Sequence, residues 1–275
     1  MPELPEVETV RRGLLVTIGG RRILSAVLNR SDLRRPVPPF LAERLVGARI
    51  GALTRRGKYL LIALDGDGLL LVHFGMSGRV TAGGADLPAL RHDHLILTFD
   101  EGTVLRFNDP RRFGVIDYLA RGEEDRHPLL AGLGPEPLEP GFDGVALGAA
   151  LAHRSSTIKA ALLDQKVVAG LGNIYACEAL YRARLSPRRR ADSLAPRQTA
   201  RLAEAIRTVL EEAICAGGSS LRDYVQINGE LGYFQHQWAV YAREGKPCPG
   251  CDCKKGVRRI VQGGRSTFFC AKRQR

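Results

Sequence analysis

Between about residues 21 and 120 the chain is a succession of short apolar runs separated by turn residues, which commits its first half to a small antiparallel architecture. Residues 22–30 and 49–53 read as strands. Residues 58–64 run into Asp65-Gly66-Asp67-Gly68, a hairpin signal, and 69–74 return from it. Residues 94–99 turn at Glu101-Gly102 into 103–107, and 114–119 close the series. Many short strands at hairpin spacing predict an antiparallel sandwich or barrel-like domain over 2–130.

The texture then changes twice. From residue 121 the chain is rich in Gly, Pro and acid, and 131–144, with Gly134-Pro135-Glu136-Pro137, is expected to be a linker. Helical periodicity follows at 145–152, 158–163, 173–182 and 197–216. The last helix shows Leu202, Ile206, Val209, Leu210 and Ile214 on one face, with Pro196 near its start and Gly217-Gly218 beyond its end. Residues 219–237 carry Gly229 and Gly232 and little periodicity, so a mobile loop is expected there, within a helical domain spanning 145–237. Residues 238–275 form a cysteine-rich tail. The whole reads as an α+β multidomain chain.

A formal charge of +12 with a sequence pI near 9.8 suits a polyanionic partner. A basic surface also serves membranes or simple solubility. No basic amphipathic helix with an aromatic face is present, and no apolar run approaches the roughly 20 residues that span a bilayer. Nucleic acid therefore leads. The acidic, Pro-rich start is neither a signal peptide nor a transit peptide.

That start has its own chemistry. Removal of Met1 would leave Pro2 with a free secondary amine, able to attack an electrophilic carbon and form an iminium. Glu3 and Glu6 stand one and four residues further on. Pro5 suits the first turn of a helix, and Val7, Val10, Leu14 and Ile18 give that helix a face to bury. The positive end of the helix would lie beside the amine and help keep it unprotonated. A capped helix at an exposed terminus would have the same sequence.

Other motifs are equally two-sided when read singly. Gly170-Leu171-Gly172-Asn173 lacks the third glycine and the βαβ context of a dinucleotide fingerprint. It reads as a tight turn whose N–H groups, with Asn173, could seat a phosphate, supported by Arg154 and Lys159. In Asn108-Asp109-Pro110-Arg111-Arg112-Phe113-Gly114, two arginines beside an aromatic suit insertion into a duplex, or else an ordinary basic loop with Phe113 packed inward. Met76, in Phe74-Gly75-Met76-Ser77-Gly78, reads equally as a second wedge or as core filler. Lys58 occupies a basic turn, where most lysines are solvated.

Six cysteines are distributed unevenly. Cys177 and Cys215 fall on helical patterns and are expected to be buried thiols. Cys248, Cys251, Cys253 and Cys270 crowd the tail, which without an export signal suggests one structural zinc ion rather than disulfides. A second C-x2-C would require cysteine at 273, where Arg273 stands; Cys253 is the remaining candidate for the fourth thiolate. A zinc-free hairpin with leftover thiols is the alternative. Gly263-Gly264-Arg265-Ser266-Thr267 would form the tip of a basic finger, with Lys254, Lys255, Arg258 and Arg259 nearby.

In order along the chain, PELPEVETVRRGL, RRGKYLL, HFGMSG, DPRRFG, LLDQ, GLGNIYACEAL, LGYFQ and GGRSTFFC resemble the formamidopyrimidine-DNA glycosylase family over nearly its full length. The resemblance implies an N-terminal β-sandwich with a leading helix, then a helix–two-turn–helix domain ending in a zinc finger, with DNA running between the two halves. It implies that Pro2 is the nucleophile toward C1′, that Glu3 assists departure of the base and opening of the sugar, and that Glu6 positions the site. Lys58 would serve β-elimination and Arg265 the δ-elimination. His92, Arg111, Arg154, Lys159 and Asn173 match DNA-contacting positions, with His73 and Arg112 as further candidates. Met76, Arg111 and Phe113 match the side chains that fill the duplex gap, and residues 217–237 match a lesion-capping loop.

The partner implied is double-stranded DNA with oxidised bases or abasic sites, met by a cytoplasmic monomer at the bacterial nucleoid, with no membrane partner. Two alternatives differ in activity: an endonuclease VIII-like enzyme for oxidised pyrimidines, and a non-catalytic DNA-binding paralogue. Arg111-Arg112-Phe113 favours the purine branch, and Pro2, Glu3 and Lys58 together argue against the paralogue.

Overall fold

The structure, a computed structural model, describes residues 2–219 and 232–275. The chain forms two compact units, Met1–Ala131 with Ala216–Tyr233, and Gly132–Cys215 with Phe234–Arg275.

The first unit opens with α1 (Leu4–Ile18), whose apolar stripe Val7, Val10, Leu14 and Ile18 is buried. Eight strands follow: β1 (Ile23–Leu28), β2 (Ile50–Arg56), β3 (Tyr59–Leu64), β4 (Gly68–His73), β5 (Arg79–Gly83), β6 (Asp93–Phe99), β7 (Val104–Asn108) and β8 (Val115–Ala120). They pair antiparallel as two four-stranded sheets, ordered β1-β6-β7-β5 and β2-β3-β4-β8. Leu60, Ile62, Leu70 and Val72 from one sheet meet Leu95, Leu97, Leu105 and Phe107 from the other in a core that includes the stripe of α1. Each such side chain, fully buried, contributes about 1.5–3 kcal/mol. The expected sandwich is therefore the fold. Strand β5 and the five-residue α2 (Leu41–Leu45), which packs on β1, carry no periodic signal long enough to anticipate.

Two connections position chemistry. The β2–β3 hairpin turns on Gly57-Lys58, and Gly57 has φ 57°, the backbone that a two-residue hairpin asks of glycine. Residues 109–114 cross from β7 in one sheet to β8 in the other.

The second unit holds α3 (Gly144–Leu151), α4 (Ile158–Leu163), α5 (Asn173–Arg182), α6 (Pro196–Cys215) and the hairpin β9 (Arg258–Gln262) and β10 (Arg265–Phe269). Asp143 caps α3, accepting the N–H groups of Val145 and Ala146 at 2.8 Å each. Leu202, Ile206, Val209 and Leu210 of α6 are fully buried, and α6 packs against α3 and α5. Cys215 is exposed, not buried as expected: one residue past Ile214, it lies off the apolar stripe. The stretch expected as a linker is docked on this unit, where Arg207 donates to the carbonyl oxygen of Phe142 at 2.7 Å.

Most of the expected loop at 219–237, and of the lesion-capping loop at 217–237, lies outside the described residues. Its described end, Phe234–Gln237, is a 3-10 turn with Phe234 fully buried. Among the described residues no helix is long and apolar enough to cross a membrane.

Candidate active site and metal centre

The N-terminal turn is an interior feature. Pro2 is buried, and Glu3 and Glu6 are each 2% exposed. Glu6 Oε2 accepts the N–H of Glu3 at 2.8 Å, and Oε1 accepts the N–H of Ser219 at 2.8 Å. Both carboxylate oxygens thus hold backbone, which fixes the start of α1 in one conformation. Pro2 lies at the positive end of that helix.

Lys58 is only 6% exposed, so it is not a solvated turn lysine. Its charge reaches His73, which pairs with Tyr59 across β3 and β4 and packs against its ring at a tilt of 35°, centroids 4.7 Å apart. Burial, then the charges of Lys58 and Arg34, hold the His73 imidazole down at about 4. The Gly75 N–H points at His73 Nδ1 (3.1 Å), so the neutral ring carries its proton on Nε2 and offers a donor, not a cation.

Met76 and Phe113 are exposed, and their loops meet backbone to backbone. A Cβ on Gly75 (φ 60°) would collide with the carbonyl group of Phe113. The Arg111 guanidinium lies 4.9 Å above the Phe113 ring. Phe113 is therefore not packed inward, and Met76, Arg111 and Phe113 come together. Beneath them, fully buried Asp109 accepts from Ser77 Oγ at 2.6 Å and from the Gly114 N–H at 2.7 Å. Arg112 adopts φ 58° and pairs with Asp32 at 3.0 Å. His92, half-buried, lines an open pocket with Arg30, Arg91 and Arg112.

In the second unit, Gln165 shapes the glycine turn, accepting the Gly170 N–H and donating to the Leu171 carbonyl oxygen at 2.9 Å each. Asn173 then opens α5 and donates through Nδ2 to the Ser266 carbonyl oxygen at 3.0 Å. Arg154 is paired with Asp164 at 2.6 Å. Lys159 is fully buried: its Nζ donates to Thr267 Oγ1 at 2.7 Å and to the Ser266 carbonyl oxygen at 3.2 Å. It is a strut for the hairpin, whereas the sequence suggested a phosphate contact. At the tip, Gly263 and Gly264 have φ 54° and 72°, which aims exposed Arg265 outward at the start of β10.

The sulfurs of Cys248, Cys251, Cys253 and Cys270 all lie within 4.8 Å of one another. Cys270 Sγ is 3.5 Å from those of Cys251 and Cys253. Tetrahedral thiolates at about 2.3 Å from zinc would sit about 3.8 Å apart, so this donor set fits one such ion. The four cysteines form a group able to hold a metal.

Residues 1–116 match the model of the formamidopyrimidine-DNA glycosylase N-terminal domain, and residues 133–225 match that family's H2TH domain. The chain belongs to the formamidopyrimidine-DNA glycosylase family. It is 56% identical to the formamidopyrimidine-DNA glycosylase of Rhodospirillum centenum over 290 residues, covering 100% of both chains. The MutM (Fpg) protein of Thermus thermophilus superposes with TM-score 0.88 at 44% identity, covering 99% of this chain and 98% of that one. The wild-type Lactococcus lactis Fpg, solved with DNA containing N7-benzyl-Fapy-dG, gives TM-score 0.91 at 34% identity, covering 100% of both chains.

As a member of this DNA glycosylase family, the chain is an enzyme. Three further buried or part-buried polar side chains shape its loops. Asp109 holds the loops of Met76 and Phe113, Gln165 the glycine turn, and Glu178, fully buried, accepts the N–H groups of Ala239, Val240 and Tyr241. All three stand inside the motifs DPRRFG, LLDQ and GLGNIYACEAL, but spacing gives none of them a partner, and only Asp109 carries a local signal, the Asp-Pro turn.

Proposed function

We propose that the chain is a bifunctional DNA glycosylase and AP lyase that removes oxidised purines, 8-oxoguanine and formamidopyrimidines, from duplex DNA. The observation that carries this is the buried Pro2 at the positive end of α1, beside buried Glu3 and Glu6. Likeness to proteins solved with formamidopyrimidine-containing and abasic-site DNA supports the same substrate class.

With Met1 removed, the Pro2 nitrogen attacks C1′ of the damaged nucleotide. The bond from C1′ to the base breaks, the base leaves with a proton, and Glu3 assists that departure and ring opening. The secondary amine bonded to C1′ becomes an iminium with a fixed positive charge. That electron sink acidifies the C2′ proton; its loss expels the 3′ phosphate, with Lys58 serving the proton transfers of this β-elimination. A second elimination expels the 5′ phosphate, assisted by Arg265.

DNA binding is assigned to His73, His92, Arg111, Arg112, Arg154 and Asn173, with Met76, Arg111 and Phe113 replacing the extruded base; buried Lys159 braces the finger. Unstacking costs a few kcal/mol, and these side chains offset part of it. Affinity should fall steeply with salt. Cys248, Cys251, Cys253 and Cys270 would hold one structural zinc as thiolates, which supplies folding of the finger rather than chemistry at C1′. The enzyme acts as a monomer in the cytoplasm, at the nucleoid.

Borohydride trapping on duplexes carrying 8-oxoguanine or an oxidised pyrimidine tests the proposal. A covalent adduct with the purine lesion, whose mass maps to Pro2, is expected. Adduct with the pyrimidine alone would move the enzyme to the endonuclease VIII-like branch, and no adduct with either would remove the lyase activity.

A further inference from the structure

Three of the four clustered thiols, Cys248, Cys251 and Cys253, come from one six-residue stretch, and only Cys270 comes from the far end of the hairpin. Cys270 is well anchored. Its N–H donates to Gln274 Oε1 at 2.8 Å, and Gln274 Nε2 donates to the Leu185 carbonyl oxygen at 2.9 Å. The short stretch needs an anchor besides the exposed Lys272–Asp252 pair.

Arg273 provides one. Guanidinium has no lone pair to offer a metal, so position 273 is closed as a ligand. Its side chain instead runs to the outside of the turn. Nη1 donates to the Gly250 carbonyl oxygen at 2.9 Å, and the guanidinium carbon lies 4.9 Å above the Tyr181 ring. Tyr181, on α5, places its hydroxyl 3.2 Å from Cys248 Sγ. Gly250 leaves the room for both: a Cβ there would overlap Arg273 Nη1 and Tyr181 Oη. Tyr181, Cys248 and Cys270 belong to one buried cluster with Cys177, Val240 and Val257, so the brace ties the turn to the helical core.

We propose that Cys253 serves as the fourth metal ligand, position 273 being closed to that role, and that Arg273 and Tyr181 form an outer brace that holds the Cys248–Cys251 turn in ligating geometry. The brace rests on the zinc assignment made above. Tyr181 O–H donates to the Cys248 thiolate, a charge-assisted bond that orients the sulfur. Arg273 fixes the peptide between the two knuckle cysteines and clamps the Tyr181 ring. Partners of this outer kind typically change metal affinity by about 10–100-fold.

The test measures zinc per chain by native mass spectrometry, and zinc release to a chromophoric chelator, in the full-length protein. Wild type should carry one zinc. Arg273→Ala and Tyr181→Phe should keep that stoichiometry and release zinc roughly 10–100-fold faster. Tyr181→Phe preserves the ring under Arg273, so it isolates the hydroxyl. Cys253→Ser should lose the zinc, and Cys253→Ser with Arg273→Cys should regain it. Release rates in both brace variants within about twofold of wild type would overturn the brace. Full zinc retention by Cys253→Ser would overturn Cys253 as the fourth ligand. A wild-type protein purified with zinc present that binds none would instead bring down the zinc assignment, and both parts with it.

Discussion

Glu6 accepts the backbone N–H of Ser219 at 2.8 Å through one oxygen, while its other oxygen caps Glu3. One buried carboxylate therefore fastens the turn that carries Pro2 to a residue more than 200 positions away. In Glu6→Gln, one of the two positions becomes an N–H donor facing another N–H. Hydrogen bonds to a charged group contribute about 1.5–3 kcal/mol each, so the loss is felt in both stability and geometry. We expect a lower melting temperature and at least roughly tenfold slower formation of the trapped adduct, with DNA affinity changed only a few-fold. Single-turnover trapping beside a binding titration checks this; wild-type trapping by Glu6→Gln would remove the positioning role.

Asp109 serves two loops at once. Ser77 Oγ and the Gly114 N–H converge on its carboxylate at 2.6 and 2.7 Å, below exposed Met76 and Phe113. Ser77→Ala removes only the link to the Met76 loop, whereas Asp109→Asn also sets an amide against the Gly114 N–H. The expected order of damage is therefore Asp109→Asn greater than Ser77→Ala. Each should weaken binding to a duplex containing an abasic-site analogue more than binding to undamaged duplex. Equal loss on both duplexes would mean the loops contribute only general affinity.

The difference between what is legible in the sequence and what is not follows the range of the interaction. Asn173–Arg182 is legible to the residue, because Gly172 and the glycine turn bound it locally. Gly263-Gly264 announces its hairpin for the same reason. Cys215 is misplaced by one step around a helix, since a stripe ending at Ile214 does not extend to its neighbour. Lys159 reads as a phosphate ligand because it is a basic residue on the segment preceding a glycine turn; its partners Thr267 and Ser266 lie more than 100 positions away. The Glu6–Ser219 bond spans 213 positions, and no spacing rule connects them. Local turn chemistry is visible, and the polar contacts that aim the site are not.

His73 supplies a pH test. Burial, then Lys58 and Arg34, lower its pKa from 6.5 to about 4, so the fold favours the neutral ring. Over that window the unfolded chain binds more protons than the folded one. The stability His73 contributes is present above about pH 6.5 and is lost as pH falls toward 4. His73→Asn keeps a polar group near the Gly75 N–H and does not titrate. Denaturant titrations should show a shallower loss of stability across this range, by at most about 1.4 kcal/mol per pH unit. An unchanged slope would place the acid sensitivity in other groups.

Lys159 links a buried charge to the proposed δ-elimination. Its Nζ holds Thr267 Oγ1 at 2.7 Å and the Ser266 carbonyl oxygen at 3.2 Å, just beyond Arg265 in the chain. Lys159→Met keeps an unbranched apolar stem, gives up these bonds and removes the cost of burying an ammonium. Those terms oppose one another, so melting temperature is a poor readout. Product distribution is a sharper one. If the strut aims Arg265, Lys159→Met should still form the Pro2 adduct and the β-elimination product, while the δ-product falls several-fold relative to it. Gel separation of the two 3′ ends on an abasic duplex makes the measurement. A wild-type ratio of β- to δ-product would separate Lys159 from Arg265 and leave it a packing residue of the hairpin.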